Sequence, residues 1–80
     1  MIKMPIVIIE WVDSCSDDGW MKVPKAKEHT VSHCTSVGYL IKKDKEQVCI
    51  VQNTSDTESV GDIMAIPRKA VTKITTLTGD

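Results

Sequence analysis

Arg68 is the only arginine in the chain, and it stands directly after Ile66-Pro67. A guanidinium presents a planar fork that matches a phosphate or carboxylate through two parallel hydrogen bonds, which the point charge of lysine does not replace. The fixed φ of the preceding proline gives that fork a rigid mount. Two tryptophans, Trp11 and Trp20, supply aromatic faces, and stacking a base on such a face contributes about 1–3 kcal/mol. Trp20 closes the polar cluster Asp13-Ser14-Cys15-Ser16-Asp17-Asp18-Gly19. Trp20, Arg68, Asp13 and Ser14 are therefore the candidate ligand-binding residues for a small nucleotide-like molecule. Each also has a plainer reading. Trp11 alternates with Ile9 and reads as core. Trp20 equally reads as an anchor pinning its loop. Arg68 equally reads as the ion-pair partner of Asp13 or Asp62.

Other chemistries fit the spacing less well. His29 and His33 sit four apart with Cys34 adjoining, but a zinc site wants four ligands in compact pairs, and no close cysteine pair exists. Adjacent residues of a strand point to opposite faces, which separates His33 from Cys34. No metal ligands and no cofactor are expected. Cys34 and Cys49 read as small buried hydrophobes. A Cys–His nucleophile needs an orienting third group and an oxyanion hole, and nothing places Cys15 with either histidine. Asp13, Asp17 and Asp18 lack the calcium-loop spacing and read as a hydrogen-bonded turn. The chain is thus expected not to be an enzyme and to have no catalytic residues.

These residues need a frame, and Thr35–Asn53 supplies it. Val37, Tyr39 and Ile41 alternate with Gly38, Leu40 and Lys42; beyond the charged run Lys42–Glu46, Val48 and Ile50 alternate with Cys49 and Val51. Alternation on both sides of a short polar turn predicts an antiparallel hairpin. Apolar residues on both faces make that hairpin central rather than an edge. Pro5–Val12 is a near-continuous Ile/Val run and predicts a strand apolar on both faces. Val7, Ile9 and Trp11 share one face, and Ile6, Ile8 and Val12 share the other, which calls for a partner subunit. Gly19 is expected at positive φ, and Pro24–His29 predicts one helical turn opened by proline. Asp62–Ile66 and Val71–Leu77 predict two more strands, with Pro67 ending the first and Arg68–Ala70 forming a tight turn of 3₁₀ type. Thr78-Gly79-Asp80 should fray. The expected fold is all-β: a small five-stranded SH3-like barrel or a strongly bent antiparallel sheet, with a short helical turn in the long first loop.

The 80 residues are read as one domain. Ten Lys+Arg against eleven Asp+Glu argue against general nucleic-acid binding, which usually shows a basic excess. Near-zero net charge also removes a barrier to self-association, and a homo-oligomer is expected. No apolar run reaches the roughly 18 residues of a membrane span. Three unpaired cysteines suit reduced thiols in a cytoplasm.

Trp11-Val12-Asp13-Ser14 after Glu10, then Gly19-Trp20, Ser36-Val37-Gly38-Tyr39-Leu40 and Ile66-Pro67-Arg68 resemble small, mostly uncharacterised proteins of tailed bacteriophages that share an EWxDS … W … SVGxL … IPR pattern. The resemblance spans Glu10 to about Leu77. It implies a phage or prophage origin and a site of action in the host bacterial cytoplasm, and no catalytic residues. Small phage domains of this size are often inhibitors of host defence, some of them oligomers that sequester nucleotide-derived signals. By that analogy the leading expectation is an accessory protein that binds and sequesters a small nucleotide-like ligand. The alternatives are a module that grips a host or phage protein through the Trp20 loop or a sheet edge, and a structural virion component.

Overall fold

A computed structural model describes residues 3–77. The Ile/Val run forms β1 (Ile6–Asp13), and the central hairpin forms β2 (Ser32–Lys43) and β3 (Gln47–Thr54). β4 (Val60–Pro67), a 3₁₀ turn (Arg68–Ala70) and β5 (Val71–Leu77) follow. A single helical turn, α1 (Val23–Ala26), interrupts the first loop with Pro24 in its opening turn. Thr78-Gly79-Asp80, expected to fray, lie outside the described residues.

All pairings are antiparallel, in the order β4-β3-β2-β1-β5. The hairpin is therefore interior, as its two apolar faces require. β2 is long enough to serve two partners in turn. Ser32–Tyr39 pairs with β1, and Tyr39–Lys43 pairs with β3. The hand-over needs close backbone approach at Gly38. A Cβ there would stand 2.9 Å from the Val51 carbonyl oxygen and 3.1 Å from the Ile50 Cβ. A bulge between Leu40 and Lys42 leaves Ile41 without a cross-strand partner and bends the strand.

Of the two architectures expected, the bent sheet is the one formed. β4 and β5 follow one another in sequence but lie at opposite edges, so the sheet is not closed into a barrel. Pro67 has no N–H with which to begin a ladder, and the 3₁₀ turn carries the chain across to β1 instead. The turn is held by the Arg68 N–H, which donates to the Glu46 carbonyl at 2.8 Å. A second bulge, between Glu10 and Trp11, precedes the Trp11–Val71 pair. The Thr72 hydroxyl donates to the Glu10 carbonyl at 3.0 Å there.

The concave face holds the core. Val7, Ile9, Val48, Ile50 and Ile66 are buried, with Trp11, Leu40, Ala70, Val71 and Ile74 packed against them. Trp11 is half-buried against the core, on the face it was expected to share with Ile9, and its indole N–H donates to the Ser36 hydroxyl at 3.0 Å. The other face carries a row that crosses all five strands. Leu77 faces Ile6, Ile6 faces Tyr39, Tyr39 faces Val51 and Val51 faces Ile63. Val51 is buried, but Ile6, Leu77 and Ile63 are 36%, 41% and 63% exposed. On the second apolar face of β1, Ile6 is open, whereas Ile8 and Val12 are half-buried.

Candidate functional site

Arg68 reaches its position through local rules. Pro67 ends β4, the 3₁₀ turn begins, and the Glu46 carbonyl fixes the Arg68 amide against the tip of the β2–β3 hairpin. That tip is itself built by one side chain. Asp44 Oδ1 accepts from the backbone N–H groups of Glu46 at 2.8 Å and Gln47 at 2.9 Å. These bonds, chiefly that from Gln47, hold the Asp44 carboxyl below its ordinary value, and Lys42 at 3.6 Å adds to the effect.

The result is a depression of about 300 Å³ lined by Lys43, Arg68, Val71, Thr72, Lys73 and Ile74. It lies where the end of β2, past its pairing with β1, comes opposite the start of β5. Three cationic side chains line it beside the apolar flank of Val71 and Ile74. A neighbouring depression of about 390 Å³ is lined by Lys45, Glu46, Pro67 and Lys69. In a chain of net charge −1, this end of the sheet is locally basic, which favours anions.

The two ion pairs considered for Arg68 do not form. Asp13 Oδ1 accepts from the Ser14 N–H at 2.8 Å, and Asp62 Oδ2 accepts from the Asn53 amide at 2.6 Å. Among the described residues the Arg68 guanidinium has no carboxylate partner. Its fork is open for a ligand.

Sequence spacing grouped Arg68 with Trp20, Asp13 and Ser14, and the structure groups it with Lys43 and Lys73 instead. Asp13 ends β1 and Ser14 begins the loop, where both are exposed. Trp20 is fully exposed at 102% and lines neither depression, so it does not anchor its loop. The reason is the loop's course: every residue from Asp13 to Val31 is exposed, and the segment stands off the sheet as an arm. Its base is tied where the His29 ring Nε2 donates to the Cys15 carbonyl at 2.7 Å. Gly19, at φ +104°, makes the turn before Trp20 in the left-handed region that favours glycine. Lys43 and Lys73 were not singled out in the sequence. The usable signal was that Lys43 closes one strand and Lys73 lies third in another, shortly after the turn that holds Arg68.

No protein-family model, curated protein or solved structure matches this chain closely enough to show a relationship.

Cys15 is exposed, Cys34 half-buried and Cys49 buried, all three as free thiols. Cys49 fits the reading as a small buried hydrophobe, and Cys34 only partly does. Among the described residues no three His, Cys, Asp or Glu side chains stand together as a metal site, and no helix is long and apolar enough to cross a membrane.

Proposed function

We propose that the protein is a bacteriophage accessory protein of the host cytoplasm that binds and sequesters a small nucleotide-like ligand through its phosphate, and that it has no catalytic activity. The observation that carries this reading is the open guanidinium of Arg68 beside Lys43 and Lys73 in one depression. A phosphate would take the bidentate fork of Arg68 and the point charges of the two lysines. The volume lies at the small end of ligand sites, about 300–1,000 Å³, and fits a mononucleotide-sized group. The half-buried Val71 and Ile74 offer the base or sugar an apolar flank. The phage origin and the role against host defence rest on the sequence resemblance alone.

Titration with adenosine monophosphate, followed by amide chemical shifts and calorimetry, tests the reading. Binding should perturb Arg68, Thr72 and Lys73. Arg68→Lys should weaken it about tenfold, equivalent to about 1.4 kcal/mol, and Arg68→Ala should weaken it further. Neither change should move the melting temperature, because the guanidinium has no carboxylate partner among the described residues. Equal affinity in wild type and Arg68→Ala would remove the site.

A second reading, a module that grips a host or phage protein, is favoured by the full exposure of Trp20 and by the edge strands β4 and β5. An exposed aromatic is a common hot spot, and a free edge can accept a strand. Trp20→Ala would then abolish capture of the partner, and Arg68→Lys would leave it intact.

A further inference from the structure

The arm and the outer apolar row pose one problem between them. The arm carries Trp20 at 102%, Met21 at 43% and Val23 at 65% exposure, and α1 buries none of its residues. A side chain as large as Trp normally hides about 150–250 Å². The row crossing the sheet is likewise open at Ile6 and Ile63, and Val37 beside it is 46% exposed.

Within the chain the two do not meet, since Trp20 stays fully exposed. The arm springs from the Asp13/Ser32 end of the β1–β2 ladder, whereas the row crosses β1 at Ile6, the other end. Seven residues of strand separate them, roughly 23 Å. The molecule measures 55 × 23 × 22 Å with a radius of gyration of 16.5 Å, against about 12 Å for a compact chain of this length. The longest strand, β2, spans about 40 Å of this, and the arm leaves the sheet at the end opposite its own row.

We propose that the protein forms a reciprocal pair in which the arm of each copy, led by Trp20, seats on the outer apolar row of the other at Ile6, Val37 and Ile63. A two-fold axis makes both contacts at once and closes the assembly. If wholly covered, Trp20, Met21, Val23 and Val31 of the arm with Ile6, Val37, Ile63 and Leu77 of the row would hide on the order of 800–900 Å² per chain, close to the ~800 Å² per partner of a standard interface. A net charge of −1 sets little repulsion against pairing. This inference does not depend on the anion site, which none of Trp20, Ile6, Val37 and Ile63 lines.

Sedimentation equilibrium and light scattering at micromolar concentration test the proposal. Wild type should show twice the chain mass of 8.9 kDa. Trp20→Ser and Ile63→Asp should each raise the dissociation constant at least tenfold. Both variants should keep the far-ultraviolet circular dichroism of the wild type, since neither side chain is buried. In a Trp11→Phe background, Trp20 fluorescence should shift to the blue as concentration rises through the dissociation constant. The decisive arm of the experiment mixes the two variants. Trp20→Ser retains an intact row and Ile63→Asp an intact arm, so the mixture should associate more tightly than either variant alone through one restored contact. A monomeric wild type, a pair indifferent to Trp20→Ser, or a mixture as weak as its components would overturn the proposal. A monomer whose Trp20 is buried only by a different protein would do the same.

Discussion

At position 38 the absence of a side chain is what lets β2 exchange one partner strand for another. An added Cβ would meet the Val51 carbonyl oxygen at 2.9 Å, the Gln52 amide nitrogen at 3.0 Å and the Ile50 Cβ at 3.1 Å. Two of these belong to the buried interior of β3 and cannot swing aside. Gly38→Ala should therefore cost about 1–3 kcal/mol, the usual range for overpacking, read as a lower denaturant midpoint with unchanged slope. The Gln52 amide also donates to the Val37 carbonyl at 2.6 Å, so the local strand geometry should shift as well. At this scale the sequence was informative about single residues and silent about their neighbours. Arg68 stood out as the lone arginine after a proline, and Trp11 as core by its alternation with Ile9. That Arg68 would meet Lys43 and Lys73, and not Trp20, depends on strand register and on the course of a loop. Neither is encoded in residue type or spacing.

At the scale of elements, the β2–β3 tip is a turn made by one carboxylate. Asp44 accepts two backbone N–H bonds, and its carboxyl is held below the ordinary 3.8 mainly by the Gln47 N–H. The folded state therefore binds this proton less readily than the unfolded chain. Its contribution is present above the ordinary carboxylate range and is lost as pH falls through the lowered folded value. Asp44→Ala should thus melt at a lower temperature than wild type at neutral pH, and the two melting curves should converge at pH below 3.8. A gap that persists at low pH would show that the turn does not depend on the ionised carboxylate. Because the tip also fixes Arg68 through the Glu46 carbonyl, Asp44→Ala should loosen the anion site too. The strands themselves were legible, since alternation marks β2 and β3 and Pro67 marks the end of β4. The openness of the sheet was not. Barrel and bent sheet share the same strand pattern, and the choice between them is made by a proline and three turn residues.

At the scale of the whole molecule, the chain has more apolar strand face than one concave core can cover. The Ile/Val run of β1 announced this surplus, and a partner subunit was expected from it. The arm was readable only as a long loop; its departure from the sheet follows from the absence of buried anchors along Asp13–Val31. The sheet has a further property, set by the ladder between its first and last strands. Ile6 faces Leu77, so β1 has its second neighbour only when the final strand has left the ribosome. Until then one side of β1 offers bare N–H and C=O groups to any passing chain. Synthesis arrested after Ala70 should leave a sticky nascent protein, detectable as light scattering or chaperone capture, whereas release after Leu77 should not. The order in which the ribosome delivers the strands is thus a hazard built into this topology, and the last seven residues of the sheet act as its cover.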